Sequence, residues 1–423
     1  VGFPYYLSLS FLYIMAILAI FPPVRALAFF NALWPLVMIG WLFSSLLISR
    51  DFFIKVSIHR LMTYVFIIYS IVLPYISGST FIGNRYLELT QLIIFYWGFE
   101  LCKRKGRLTD AVKLIWCFLP AAIIVSVITI SEYAQHPYIS RLAKKDTAAG
   151  IQYMLQGVGG YDFVYCLVFL LLPLIYFCFN RNVLLGHRMK VVLYVLLALF
   201  AVNILLSNFA TALFLVSFAI MFRFFLKRVS TLLLLTYIFI FAILFPFLPS
   251  IIVYFLDFAL DYFGTSMNAA RMLELRQLLL VGVIEVSMGA RIEAFALSID
   301  VFLDNFLLGI VVDGLEVSST GTTAFGQHSF FIDGFALFGV VFGLLQIYVF
   351  MYPLKKEFVL TSLHRTTLPF LVFILAMVFF TINNAVPAVG FVIYFVYPVL
   401  NYYLALYSQR NFSTRSYSVE TSR

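Results

Sequence analysis

The sequence predicts an all-α protein that crosses a membrane many times. Of its 423 residues, 63% are hydrophobic and only 11% are charged, whereas a soluble protein carries about 25% charged residues. Apolar runs recur along the whole chain, and a spanning helix needs about 20 such residues. The net charge of +9 does not indicate a nucleic-acid partner, because the basic residues cluster in short loops at alternate ends of the apolar runs, as in cytoplasmic loops.

We predict about twelve transmembrane helices and one large, partly helical outer loop. Residues 1–409 are expected to form a single transmembrane domain, and residues 410–423 a disordered cytoplasmic tail. The alternation of basic loops places both termini in the cytoplasm. Outer loops are predicted at about 132–162 and 250–329. The predicted spans lie near residues 5–23, 27–49, 61–78, 86–101, 110–131, 163–179, 191–206, 209–226, 229–249, 330–352, 366–380 and 388–408.

The large outer loop should itself contain helices. Around 268–286, Arg271, Glu274 and Gln277 fall three residues apart, which is typical of one side of a helix lying on the membrane. In 290–304, apolar residues recur with helical spacing and form a single stripe.

Positive charge in the outer loops is unusual, because basic residues normally favour the cytoplasmic side. Long loops escape this rule, so one interpretation is a solvated loop surface. The other is an anion site at membrane depth, since the planar guanidinium of arginine makes bidentate bonds to phosphate. The candidate residues are Arg85, Arg141, Lys144, Lys145, Arg271, Arg276 and Arg291.

His328 lies at the border between the large outer loop and the next apolar run. Imidazole changes charge near neutral pH, so His328 could act as a general base or as a donor to a leaving phosphate. A structural, hydrogen-bonded histidine is the alternative. Asp333 follows near the start of the span, where an acid is costly and often functional. It could orient His328 or an arginine, or lie in the headgroup layer.

Several common signatures of metal and cofactor sites are absent. The sequence contains no Walker A motif, no HExxH motif, no paired-cysteine motif and no Asp-rich loop after the first span. We therefore predict neither a metal nor a cofactor.

The segment GARIEAFALSIDVFLDNFLLGI, followed by HSFFIDGFALFG, resembles the shared signature of bacterial O-antigen polymerases and O-antigen ligases. In that family an arginine opens an amphipathic helix, a Pro-Leu-Leu-Gly turn and a loop follow, and His-Asn precedes a glycine by eleven residues. The corresponding residues here are Arg291, the turn Leu307-Leu308-Gly309, His328 and Gly339.

This chain departs from the family pattern at several positions. Phe306 replaces the proline of the turn, Val311 its second glycine, and Ser329 the asparagine. The family often has a Ser-Arg pair where this chain has Asn208 and Phe209, so Arg271 or Arg276 would have to supply a second arginine.

The resemblance implies a metal-independent glycosyltransferase with a GT-C-like fold and no cofactor, in the bacterial inner membrane with its active site facing the periplasm. The donor would be an oligosaccharide on undecaprenyl diphosphate. A polymerase would pass the glycan to another lipid-linked repeat unit, together with a polysaccharide chain-length regulator, and a ligase would pass it to lipid A–core. The resemblance implies catalytic roles for His328 and Arg291, and a second arginine supplied by Arg271 or Arg276. Together with the outer charges and the acid near the start of the span, the candidates for diphosphate or substrate binding are Arg276, Arg271, Asp333, Arg141, Lys144 and Lys145.

Two interpretations of other classes remain open at this stage. A transporter for lipid-linked oligosaccharides or solutes should carry ionisable or polar residues within its spans. The candidates are few, namely Glu88, Glu100 and the pair Asn383-Asn384. A scaffold subunit without a site would leave the outer arginines and His328 unexplained.

Overall fold

The computed structural model is built from α-helices. It describes residues 2–27, 30–55, 57–77, 80–143, 147–179, 186–225, 248–263, 269, 272–273, 276–277, 286–309, 329–362 and 368–402. Almost all of these residues are helical, and none of them is in a β-strand.

The helices follow the apolar runs of the sequence closely. The predicted span 110–131, for example, is a helix from Leu108 to Tyr133, and the predicted loop helix 290–304 is a helix from Val286 to Asp304. In chain order the helices are α1 Phe3–Ile20, α2 Pro22–Ala26, α3 Phe30–Ile48, α4 Arg50–Ile54, α5 Ile58–Ser77, α6 Thr80–Arg104, α7 Leu108–Tyr133, α8 Ile139–Leu142, α9 Ala148–Leu155, α10 Tyr161–Phe179, α11 His187–Leu206, α12 Ala210–Phe225, α13 Leu248–Phe263, α14 Val286–Asp304, α15 Phe330–Ser362, α16 Leu368–Ile382 and α17 Pro387–Phe391.

Several of these helices are long and apolar enough to cross a membrane. By length and composition they are α1, α7, α10 and α11. The stretch of α15 from Phe330 to Glu357 has the same length and composition, but it contains non-helical backbone at Gly339. Shorter apolar helices account for further predicted spans, among them α16 and the helix from Pro387 to Tyr402. Most of the predicted span 229–249 lies outside the described residues. The structure is therefore an all-α membrane protein in its coarse architecture.

α10 is the central helix of the bundle. Within it, 78% of the membrane-length window is buried, which fits a sequence that is apolar on every face. Its neighbour, the helix that begins with α17, contains a π-helical segment, Val392–Val396, whose residues are all buried. Phe391, just before this segment, packs against Phe95 of α6 with ring centroids 5.2 Å apart.

α15 is not the single straight span that the sequence predicted for 330–352. The Nε2 of Gln346 donates a hydrogen bond to the carbonyl oxygen of Phe330 at 2.9 Å. In a straight helix, residues sixteen positions apart would be separated by about 24 Å. The chain therefore reverses between them, at Gly339, where φ is +67° and ψ is −173°. α15 is a helical hairpin with a short limb, 330–338, and a long limb, 340–362.

A close crossing of two glycines holds this hairpin against the end of α14. Gly309 has φ +78°, and a Cβ added there would lie 2.2 Å from the carbonyl oxygen of Leu337. A Cβ added to Gly339 would lie 2.3 Å from the carbonyl oxygen of Leu307. The amide of Val340 donates to the carbonyl oxygen of Phe306 at 2.8 Å. Only glycine fits both positions, because a side chain would clash with main-chain atoms and positive φ disfavours other residues.

Candidate functional site

The short limb of α15 begins at Ser329, the residue after His328. The Oγ of Ser329 accepts a hydrogen bond from the amide of Ile332 at 3.0 Å, which is an N-cap. The side chain of Asp333 completes the cap, since its Oδ2 accepts from the amide of Ser329 at 2.9 Å. Its Oδ1 accepts from the hydroxyl of Ser298 in α14 at 2.9 Å. Asp333 is 1% exposed, so this buried acid ties the loop helix to the start of the hairpin.

The first amide of the limb is bonded to the loop after α16. Phe330 donates to the main-chain oxygen of Asn383 at 3.0 Å. The side-chain Oδ1 of Asn383 accepts from the hydroxyl of Tyr161, the first residue of α10, at 2.6 Å. We call Tyr161, Ser329, Phe330 and Asn383 the Asn383 cluster. It joins the starts of α10 and α15 with the end of α16.

Aromatic rings and an arginine continue this cluster. The Tyr161 ring lies 4.5 Å from the ring of Tyr165 and 5.8 Å from that of Phe209, measured between centroids. The guanidinium carbon of Arg141 lies 5.2 Å from the centroid of the Phe209 ring, within the range of a cation–π contact. The cluster therefore extends from Asn383 to a cationic side chain over an aromatic ring.

Arg141 is positioned by the short helix α8 and by an unusual backbone conformation. Its guanidinium donates to the main-chain oxygen of Asn208. Asn208 has φ +57°, a value that few residues other than glycine adopt. Its Nδ2 donates to the carbonyl oxygen of Pro137 at 3.0 Å, which ties the α11–α12 turn to the loop before α8. An arginine from another segment of the chain thus lies on the α11–α12 turn.

The remaining predicted site residues have different placements. Arg276 forms an ion pair with Asp257 of α13, and the two side chains are 36% and 48% exposed. Any anion binding to Arg276 would therefore compete with this carboxylate. Arg291 falls in α14, of which only the backbone is described at that point. His328, Arg271, Lys144 and Lys145 lie outside the described residues. The structure thus brings Arg141 and Asp333 into one connected region and joins Arg276 to a separate acidic partner.

A second polar region was not predicted as a unit. Glu100 of α6 accepts hydrogen bonds from Arg60 of α5 at 3.0 Å, from Lys356 of α15 at 2.9 Å and from the hydroxyl of Tyr96 at 2.9 Å. We call these four residues the Glu100 cluster. Nearby, a cavity of about 10 Å³ lined by His59 and Tyr96 has room for at most one water. Glu100 was a candidate for transport, but its charge is matched by two cations.

Sequence reasoning missed Tyr161 and did not assign Asn383 to a binding site. Tyrosines at the ends of spans are common in membrane proteins, so the position of Tyr161 in the sequence did not indicate a functional role. The pair Asn383-Asn384 between two apolar helices was noticed as a polar interruption. The hydrogen bond from Tyr161 to Asn383 connects residues 222 positions apart. A single sequence does not show which distant residues meet.

Among the described residues, no group of three or more His, Cys, Asp or Glu side chains is placed to hold a metal ion. Comparison of the chain with models of known protein families gives no match, and comparison with curated proteins gives none either.

Proposed function

We propose that this chain is a membrane-embedded glycosyltransferase that joins glycan repeat units carried on undecaprenyl diphosphate, as an O-antigen or capsular polysaccharide polymerase. The proposal includes about twelve transmembrane helices in a GT-C-like arrangement in the bacterial inner membrane. Both termini would lie in the cytoplasm, and the active site would face the periplasm.

The contact between Gly309 and Gly339 is the observation that carries this proposal. The resemblance to the O-antigen polymerase and ligase family selects these two glycines from separate parts of a short signature. They are 30 positions apart in the sequence, and their main chains are in direct contact. If the resemblance were a chance match of apolar residues, the two matched glycines would not be expected to contact each other. His328 directly precedes the limb that leads to Gly339.

The position of Arg141 supports a diphosphate site. Its guanidinium lies over Phe209, at the turn where the family often has an arginine of its own. Arg141 would then take the role of the second arginine, for which the sequence offered Arg271 and Arg276. A guanidinium keeps its positive charge, and its planar set of N–H donors suits the oxygens of a diphosphate.

The reaction needs a base and a stabilised leaving group. The acceptor hydroxyl would attack the anomeric carbon of the donor sugar, and the bond between that carbon and the diphosphate oxygen would break. The electron pair leaves with the diphosphate, whose charge Arg291 and Arg141 would stabilise. His328 would take the proton of the acceptor hydroxyl. Asp333, with its hydrogen bonds to Ser298 and Ser329, would hold the start of the hairpin beside this histidine.

Deletion of the gene in its source bacterium tests the function directly. A gel of the surface polysaccharide should then show lipid A–core with a single repeat unit instead of a ladder. Bare core with accumulated lipid-linked polymer would indicate a ligase instead. An unchanged ladder would contradict both transferase assignments.

Complementation with point variants tests the proposed roles. We expect His328→Ala to abolish the ladder at normal membrane levels, whereas His187→Ala, at an exposed position at the start of α11, should restore it. Arg291→Lys should lose most activity because lysine cannot make bidentate contacts. Arg104→Lys, at the end of α6, is the matched control. A normal ladder with His328→Ala would remove the proposed base.

A further inference from the structure

Asn383 is a buried amide whose hydrogen-bonding capacity is only partly used. The residue is 2% exposed. Its side-chain oxygen accepts from Tyr161 and its main-chain oxygen accepts from Phe330. The two hydrogens of its Nδ2 have no acceptor in the part of the chain that the structure describes.

Other buried asparagines in the described part of the chain do use this donor. The Nδ2 of Asn203 donates to the carbonyl oxygen of Ser126 at 3.2 Å, and that of Asn401 donates to Glu357 at 3.2 Å. Native proteins rarely leave a buried donor unpaired, because its lost hydration is not recovered. Gln91 in α6 also lacks partners for its amide among the described residues, but no hydrogen bond links it to the Asn383 cluster.

The surroundings of Asn383 indicate what its free donor would bind. Tyr161, which donates to the amide oxygen, is half-buried, and the rings of Tyr165 and Phe209 lie beside it. Apolar and aromatic walls with a few fixed polar groups are the usual composition of a small-molecule site. An uncharged amide and a phenol suit a neutral hydroxyl, whereas the arginines suit an anion.

We propose that Asn383 and Tyr161 form a sugar-binding subsite, in which the Nδ2 of Asn383 donates to a hydroxyl oxygen of the glycan. This inference rests on the proposed function and adds to it the group that recognises the sugar. The hydroxyl of Tyr161 fixes the orientation of the amide by occupying its oxygen. The main-chain bond from Phe330 joins the subsite to the segment that follows His328 in the sequence.

The first test measures transfer by the full-length protein in proteoliposomes. The substrate is the lipid-linked oligosaccharide isolated from the deletion strain. Asn383→Asp keeps an acceptor for Tyr161 and removes the donor, and Tyr161→Phe removes only the hydroxyl. We expect each to raise KM about 5–10-fold, which corresponds to one lost hydrogen bond, with a smaller change in kcat.

Tyr133→Phe is the matched control. The Tyr133 hydroxyl shares a hydrogen bond of the same length, 2.6 Å, with Ser140, and Tyr133 is more deeply buried than Tyr161. Its removal should leave KM unchanged. If Asn383→Asp and Tyr161→Phe fold and keep the wild-type KM while His328→Ala abolishes transfer, the subsite is wrong and the proposed function stands.

A binding measurement separates the subsite from catalysis. The probe is the free repeat-unit oligosaccharide, released from its lipid by mild acid and titrated against the purified protein. We expect saturable binding by the wild type and at least 5-fold weaker binding by Tyr161→Phe, even in a His328→Ala background that cannot turn over. Equal affinity of wild type and Tyr161→Phe, or no binding by the wild type, would overturn the subsite regardless of transfer activity.

Discussion

The Glu100 cluster and the Asn383 cluster both gather polar groups between helices, but they use these groups differently. Glu100 accepts from two cations and a phenol, and the adjoining cavity has room for no more than a water. Asn383 joins three helix ends and retains an unpaired donor among the described residues. A cluster whose hydrogen-bonding groups are all paired is suited to holding helices together, whereas a cluster with an unpaired donor is suited to binding a ligand. The comparison therefore assigns stability to the first and recognition to the second.

The two clusters lie near opposite ends of the same helix. Leu368, at the start of α16, borders a cavity beside Glu357 and Asn401, and Lys356 of the Glu100 cluster precedes Glu357 directly. Asn383 follows the last residue of α16. A helix of this length spans about 22 Å. A structural joint and a recognition site are thus separated by most of the thickness of a hydrocarbon core, about 30 Å.

The largest effect is expected at the glycine crossing that holds the hairpin next to the Asn383 cluster. Gly339→Ala would combine a positive φ with a Cβ only 2.3 Å from the carbonyl oxygen of Leu307. With ψ at −173°, this conformation is adopted by essentially no residue but glycine and costs about 1–3 kcal/mol, and the overlap adds about 1–3 kcal/mol. We expect little folded protein in size-exclusion chromatography of detergent extracts.

Gly106→Ala is the control for this prediction. Gly106 has the same φ of +67°, but a Cβ there would have no heavy atom within 4 Å. It should therefore lose only the conformational part and remain folded. If both variants behave alike, the close crossing does not determine the stability of the hairpin.

The bounds of the apolar helices were predictable, but the reversal in α15 was not. The predicted span 163–179 corresponds to α10, Tyr161–Phe179, because hydropathy follows directly from composition. Gly339 lies within a continuous apolar run, where hydropathy gives the length of the run and no information on its direction. Gly339 is required there because of its positive φ and its close approach to Leu307, which lies in the segment after α14. Neither can be read from the local sequence.

The candidate site was predicted in part for the same reason. The sequence singled out Asp333 as an acid near the start of a span, and left its surroundings open; in the structure its side chain is buried. Its partner Ser298 and the bond between Tyr161 and Asn383 connect distant segments. Serine, tyrosine and asparagine at helix ends are common in membrane proteins, so their presence in the sequence does not indicate a site. Their contacts become visible only in the folded structure.

A smaller effect is expected from the Glu100 cluster, and it should appear in stability. Glu100→Gln would leave Arg60 and Lys356 without their carboxylate. Fully buried pairs cost about 3–5 kcal/mol to break and exposed pairs under 1 kcal/mol. Because Glu100 is 18% exposed and Lys356 is 40% exposed, we expect a loss of about 2–3 kcal/mol in thermal unfolding experiments in detergent.

Asp51→Asn is the matched control for Glu100→Gln. It removes a carboxylate that pairs with Lys55 at 3.2 Å, but these side chains are 63% and 72% exposed. Its cost should not exceed about 0.5 kcal/mol. A loss of sugar binding in Glu100→Gln, at unchanged thermal stability, would reverse the assignment of the two clusters.

The smallest effect is expected from the bond that joins the loop helix α14 to the start of the hairpin. Ser298→Ala removes the donor to Asp333 Oδ1 but leaves the bond from the Ser329 amide to Oδ2. One hydrogen bond of this kind contributes about 1 kcal/mol. Ser131→Ala, which removes an exposed hydroxyl bonded within its own helix at 2.7 Å, should cost less.

Because Ser298 acts through Asp333 on the residues that follow His328, its loss should also lower kcat more than it raises KM, the opposite of the pattern expected for Asn383→Asp. Equal thermal stability and kinetics for Ser298→Ala and Ser131→Ala would mean that α14 does not position the hairpin, and the recognition role would then rest on α10 and α16 alone.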